Sequence, residues 1–194
     1  YIEEDFNVVW KQAEDNLKKA RELNENDFEV HRLMSEVTLA MKDFRAAQRH
    51  SKLAYDMVPN DPRVLSVYGD VCVRTGKVDE GVDALKLALD LDPIPQGKTN
   101  ADPRHAGLLF AYYMSRDKDG CLEQIGHLDE IDVRSWLITT KICSDEEHDY
   151  ENLDWFKEGK KLFADKDWEK VVPDFRLNND SASEALIEFG KGLF

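Results

Sequence analysis

Residues 28–61, FEVHRLMSEVTLAMKDFRAAQRHSKLAYDMVPND, decide the fold when they are laid over residues 62–95, PRVLSVYGDVCVRTGKVDEGVDALKLALDLDPIP. The two stretches match at a period of 34 residues, and the match extends back into the segment before them. Trp10, Phe44 and Val78 fall in step, as do Ala13, Ala47 and Gly81; Leu17, Ser51 and Leu85; and Ala20, Ala54 and Ala88. Pro59 and Pro93 complete a fifth column, in which Glu25 stands at the first place. Five columns agreeing at one spacing mark an internal repeat.

Each copy resolves into two helical stretches. Val30, Leu33, Met34, Val37 and Met41 recur at steps of three and four, which makes one apolar helix face, and Phe44, Ala47, Leu53, Ala54 and Met57 do the same after a short polar break. The next copy repeats this with Val64, Val67, Tyr68 and Val71, a turn at Thr75-Gly76-Lys77, and then Val82, Leu85, Ala88 and Leu91. Asp61-Pro62 is a start signal, an N-cap acceptor followed by Pro at the first helical position, where its missing N–H costs nothing. Small residues at Ser35, Gly69, Ala47, Ala54, Gly81 and Ala88 let two antiparallel helices approach closely, while Trp10, Phe44, Met34 and Tyr68 fill the space between neighbouring hairpins.

This pattern resembles the tetratricopeptide repeat family. The residues that carry the resemblance are Phe44, Ala47, Ala54 and Pro59 in one unit, and Tyr68-Gly69, Gly76, Leu85, Ala88 and Leu91-Asp92-Pro93 in the next; His31 and Leu65 stand where the family often has Trp, and Ser51 replaces an aromatic. The resemblance implies an all-α, right-handed solenoid of helical hairpins, with 5–27 as the second helix of a partial repeat and 28–61 and 62–95 as regular repeats within a single domain, 1–194. After an insert at Ile94–Ala101, the start signal Asp102-Pro103 opens a degenerate hairpin over 102–132, with Leu108, Leu109 and Tyr112 on its first helix and Cys121, Ile125 and Leu128 on its second. Irregular repeat-like helices follow over 133–172. Asp132 caps a helix running to about Cys143 through Val133, Trp136 and Leu137, an acidic loop covers Ser144–Glu151, and Trp155, Gly159 and Trp168 restore the repeat signature before Pro173 interrupts it. Ser181 or Ser183 caps a closing helix, 181–194, through Leu186, Phe189 and Leu193, which covers the apolar end of the stack.

Composition bounds the function. The chain has 194 residues, 42% of them hydrophobic, and 26 Lys and Arg against 40 Asp and Glu, for a net charge of −14. That excess repels a phosphate backbone, so no nucleic-acid partner is expected. No stretch approaches the roughly 18 consecutive apolar residues of a membrane helix, and no charged-then-apolar leader opens the chain at Tyr1-Ile2-Glu3-Glu4-Asp5, so no membrane association is expected. Cys72, Cys121 and Cys143 are odd in number and widely spaced, which suggests neither a disulfide framework nor a zinc site; they are expected to be buried small hydrophobes in a reducing, cytoplasmic protein. A first residue Tyr1 inside a helical pattern, with no initiator Met, carries the expectation that the chain is part of something longer.

No residue set points to chemistry. Ser115-Arg116-Asp117-Lys118-Asp119-Gly120 lacks both end ligands of a calcium loop and is expected to be a polar turn; His148 within Asp145–Asp149 is expected to be solvated. His31 is expected to face outward or pack at a hairpin edge, and His50, His105 and His127 to have no spaced partner. There is no G-x-S-x-G and no Gly-rich phosphate loop, so no catalytic residue, metal or cofactor is expected.

The surface is what remains. In stacked hairpins of this family the first helices line the concave side, and the resemblance places Glu29, Arg32, Glu36, Leu39 and Asp43 from one unit and Arg63, Ser66, Asp70, Val73 and Arg74 from the next on that groove. Family members that clamp a C-terminal carboxylate use Lys, Asn and Arg there; Glu36 and Asp70 stand where the Asn donors would be, which argues against that ligand. Leu39 and Val73 are expected as apolar seats flanked by carboxylates, suited to an extended or helical segment carrying Lys or Arg. The expectation is a non-enzymatic module that binds a peptide or partner domain. The layout, with Ser183–Leu193 at its end, is also similar to the repeat regions attached to bacterial class III adenylate cyclases. That second resemblance implies a regulatory domain of a larger enzyme, acting by intramolecular contact or homodimerisation.

Overall fold

The computed structural model describes residues 6–93, 102–165 and 180–194. Among these, every regular element is a helix. The chain divides into two compact units, Tyr1–Asp92 and Pro93–Phe194. The first holds α1 (Phe6–Leu23), α2 (Phe28–Ala40), α3 (Phe44–Met57), α4 (Pro62–Arg74) and α5 (Val78–Leu91). The second holds α6 (Asp102–Met114), α7 (Lys118–Ile125), α8 (Val133–Asp145), α9 (Asp154–Leu162) and α10 (Asp180–Lys191).

Aspartates start five of these helices by accepting from backbone N–H groups that the first turn leaves orphaned. Asp27 accepts from Glu29 and Val30, Asp43 from Ala46, Asp61 from Arg63 and Val64 with Pro62 behind it, Asp117 from Gly120, and Asp132 from Arg134 and Ser135. Lys77 holds the register of Asp43 without a side-chain cap, and Asp79 and Glu80 in the first turn of α5 answer the helix dipole instead.

One turn design closes the hairpins. Asp43 N–H donates to Thr38 O, Lys77 N–H to Cys72 O and Asp117 N–H to Tyr112 O, each at 2.8 Å, and the residue before each donor has positive φ: Lys42 at 61°, Gly76 at 91° and Arg116 at 57°. The segment Ser115–Gly120 is therefore a helix-ending turn followed by a cap. The end of α8 copies it, with His148 N–H donating to Cys143 O at 2.9 Å and Glu147 at φ 51°.

Packing in the first unit follows the repeat. α2 lies on α3 and α4 on α5 as antiparallel pairs, α1 on α2, α3 on α4, and α2 on α4. Close approach within the second pair depends on glycine. A Cβ on Gly69 would come 2.9 Å from Gly81 O, and one on Gly81 would come 2.7 Å from Gly69 O and 2.5 Å from Val73 Cγ2. At the same register of the other pairs, Ser35 Oγ donates to Ala47 O at 3.1 Å and Cys121 Sγ donates to Leu109 O at 3.5 Å. Tyr68 stacks on Tyr55 with centroids 4.4 Å apart and donates its hydroxyl to Glu80, tying α3, α4 and α5 together.

In the second unit α6 pairs with α7, both pack on α8, and α9 and α10 also lie on α8. Trp136 is fully buried at the centre; its ring meets Phe156, Phe163 and Phe194 at centroid distances of 5.7, 5.5 and 5.9 Å, and its Nε1–H donates to Phe156 O at 3.2 Å. Gly159 packs flat on that indole, since a Cβ there would sit 2.1 Å from Trp136 Cδ1.

Some boundaries differ from the expectation. α7 stops at Ile125 because Gly126 ends it, so Leu128 lies beyond the helix, while α8 runs two residues past Cys143. α10 begins at Asp180, ahead of both candidate serine caps. The insert at Ile94–Ala101, Trp168 and Pro173 lie outside the described residues.

Candidate interaction groove

The α2 and α4 faces carry the residues expected to form the groove, and they form a charged ladder. Arg32 is its hub: Nη2 is 2.6 Å from Glu29 Oε1, Nε 2.9 Å from Glu29 Oε2, and Nη1 3.0 Å from Glu36 Oε1. On α4, Arg63 pairs with Asp61 at 2.8 Å, reaches Glu29 at 3.6 Å and lies over the Phe28 ring, with 6.0 Å to its centroid. Arg74 Nε bridges both oxygens of Asp70 at 2.8 and 2.9 Å. Ser66 is half-buried on the same helix.

Three of the ten expected groove residues have other work. Leu39 is 4% exposed and joins Ala47 and Val71 in the core, with Phe44 packed against them. Val73 is 1% exposed and faces Gly81. The apolar seats are thus absent, for a geometric reason: at 100° per residue, Leu39 and Val73 lie about 60° round the helix from Glu36 and Asp70. They also sit in the last turn, where the following helix folds back over them. Asp43 caps α3, as described above. Conversely, Asp61 and Phe28 belong to the ladder although the repeat register did not place them there; their signal was local, a cap and an aromatic beside an arginine.

The ladder's charges are unequal in availability. Arg32 keeps only 14% of its side chain exposed and spends its donors on Glu29 and Glu36. Hydrogen bonds from Arg32 hold the Glu29 carboxyl below the usual carboxylate range, and those from Arg63 do the same for Asp61. Glu36 goes the other way: burial raises its pKa, and Glu29 and Asp70 add to the rise while Arg32 opposes it. Yet 45% of the Glu36 side chain is open to water. Glu36 is thus a carboxylate that water reaches although protein atoms crowd it. Four carboxylates, Glu29, Glu36, Asp61 and Asp70, face three guanidinium groups, so the ladder is net negative.

Cys72, Cys121 and Cys143 are buried and unpaired, and burial pushes their thiols up to about 11, 12 and 11, which leaves them unreactive. His31 does not face outward, because its ring is buried against His50 at an Nδ1 to Nδ1 distance of 2.9 Å. Nor are the others isolated: His105 Nδ1 lies 2.8 Å from Gln124 Oε1, and its ring stacks on His127 at 4.9 Å. A 19-residue separation across a hairpin was the available signal in both cases.

No protein-family model and no curated protein matches the sequence. A solved structure does match the fold: that reported under the functional characterisation of Pseudomonas aeruginosa PilF, a protein containing tetratricopeptide repeats. The similarity has a TM-score of 0.60 at 16% identity and covers 94% of this chain and 81% of that one. The fold is therefore of the tetratricopeptide repeat type, all-helical with helices packed in adjacent pairs. No helix among the described residues is long and apolar enough to cross a membrane.

Proposed function

We propose that the chain is a non-enzymatic protein-interaction module whose α2 and α4 face receives a segment of a partner protein bearing Lys or Arg. The observation that carries this reading is Glu36, open to water but crowded, at the negative centre of a ladder whose arginines are already held by carboxylates. A cation placed between Glu36 and Asp70 relieves their repulsion and uses carboxylate lone pairs that the ladder leaves open. A carboxylate ligand would meet the same charges as a penalty. With Leu39 and Val73 in the core, recognition is electrostatic, and salt weakens it.

The test is fluorescence anisotropy of a labelled peptide of alternating Lys and Leu, with the Glu and Leu peptide of equal length as control. Binding of the cationic peptide alone is expected, falling at least tenfold in the double variant Glu36→Lys, Asp70→Lys while helical circular dichroism is retained. Unchanged capture by the folded variant rejects the groove. A regulatory segment of a larger enzyme such as an adenylate cyclase remains an inference from sequence layout, and no observation in the fold favours it over the groove.

A further inference from the structure

Two imidazoles lie inside the first hairpin where neither the groove nor a helix cap uses them. His31 on α2 is 5% exposed and His50 on α3 is 2% exposed; their rings are within 24° of parallel, with centroids 5.1 Å apart and Nδ1 atoms 2.9 Å apart. The outer nitrogens fix where the protons are. His31 Nε2 lies 3.0 Å from the carbonyl oxygen of Glu25 in the α1–α2 turn, and since a carbonyl only accepts, that nitrogen carries hydrogen. Nδ1 of a neutral His31 is then the acceptor, and His50 Nδ1–H is the donor. His50 Nε2 is left as an acceptor, 3.4 Å from Arg49 Nη2. The chain runs in one direction, from guanidinium to carbonyl, with one proton in each gap.

A further proton finds no acceptor. On His31 Nδ1 it would face the His50 N–H across 2.9 Å, and on His50 Nε2 it would face a guanidinium. The charged and titratable groups around His50 are Arg21 from α1, His31 from α2, and Arg49 and the cap Asp43 from α3, of which only Asp43 favours a cation; His31 lines an open pocket with Arg21, Glu22 and Glu25. From α4, the side chains seen against α3 are the uncharged Tyr68 and Val71. Burial, then Arg49, His31 and Arg21, lower the His50 pKa to about 4.

The molecule holds two versions of this contact without the titrating pair. At the equivalent positions, also 19 residues apart, α4 and α5 place Leu65 and Ala84 in one apolar cluster, and α6 and α7 place His105 against the amide of Gln124. The crossing of the two helices thus needs only an apolar contact or one hydrogen bond to an amide. Two facing histidines add a dependence on pH.

We propose that the His31–His50 pair is an acid-released latch, which takes up a proton as pH falls below neutral, parts α2 from α3 and frees the α1–α2 turn held at Glu25. The sign follows from linkage. The unfolded or opened imidazole titrates near 6.5, so the latch is fully engaged above that pH and is lost as pH falls from there towards 4. For one such group, opening becomes about 20-fold more frequent between about pH 7 and pH 5. The latch stands apart from the groove, although α2 carries Glu29, Arg32 and Glu36 and would move them.

Hydrogen exchange of the whole chain, corrected for intrinsic rates, reads it by region. In the unsubstituted protein, protection of α2 and α3 is expected to fall about 20-fold more than that of α4 and α5 over this range. His50→Gln, which copies Gln124 and can donate to His31, is expected to abolish the difference. So is the double variant His31→Leu, His50→Ala, which copies Leu65 and Ala84. An unchanged acid-dependent loss in either folded variant overturns the latch, as does an unsubstituted protein in which α2 and α3 lose no more protection than α4 and α5.

Discussion

A carboxylate held among protein atoms but still reached by water is costly to keep ionised, and Glu36 is in that position. Its folded-state pKa lies above the value in the unfolded chain, so the native state binds the proton more tightly than the unfolded chain does. The penalty is therefore present above the raised pKa and vanishes below the unfolded value near 4.3. Replacing it by glutamine, which keeps the shape and drops the charge, should stabilise the protein at neutral pH by about 0.5 kcal/mol, a figure kept small because the side chain is nearly half open to water. The gain should disappear in denaturation experiments at pH values below about 4. The same Glu36→Gln change should weaken the cationic peptide about tenfold, roughly the 1.4 kcal/mol of one charged contact. A variant that is more stable yet binds less would show that the residue is retained for a ligand. One that loses both would make it a structural partner of Arg32.

At the scale of helices, the Gly69–Gly81 contact sets how closely α4 approaches α5. Gly81→Ala improves intrinsic helix propensity by about 1 kcal/mol but thrusts a methyl into Val73 and into the backbone of Gly69, where overpacking costs about 1–3 kcal/mol. The net expectation is a loss of up to about 2 kcal/mol in urea denaturation; a stabilised variant would mean that the pair has more room than the Gly69–Gly81 contact implies. This contact was legible in the sequence, because small residues recurring at one register have few other uses. So were the hairpins, the caps at Asp61 and Asp132, and the polar character of the 115–120 turn, since each rests on residues within a few positions of one another. What failed were statements about direction. Leu39 and Val73 have the right spacing for a groove, but 60° of rotation and a helix folding back over the last turn put them inside. His31 and His50 find each other only when two helices are brought together at a particular height, which is a property of the pair and not of either segment. The charge pattern along α2 and α4 was thus legible in the sequence, while the burial of Leu39 and Val73 required packing.

The division into Tyr1–Asp92 and Pro93–Phe194 gives the chain two cores of different make. The first is distributed: Ala47 packs with Leu39 of its own hairpin and Val71 of the next, and Leu65, Tyr68 and Ala88 share a cluster against which Tyr55 of the preceding hairpin packs, as in any repeat whose stability is a sum of local and nearest-neighbour terms. The second converges on Trp136, which touches three phenylalanines, the carbonyl of Phe156 and the bare face of Gly159. Truncating that one residue removes the centre from α8, α9 and α10 together. Trp136→Ala should therefore cost about 3–5 kcal/mol, the upper range for a buried aromatic. Because the two units have separate cores, the loss should be confined: exchange protection in α8 to α10 should collapse while that in α2 to α5 stays within about twofold. Such a result would make the groove-bearing unit a separately stable element, able to hold its ladder whatever becomes of the second. Equal loss across both units would instead mean that the two unfold together, and that the ladder depends on the second core.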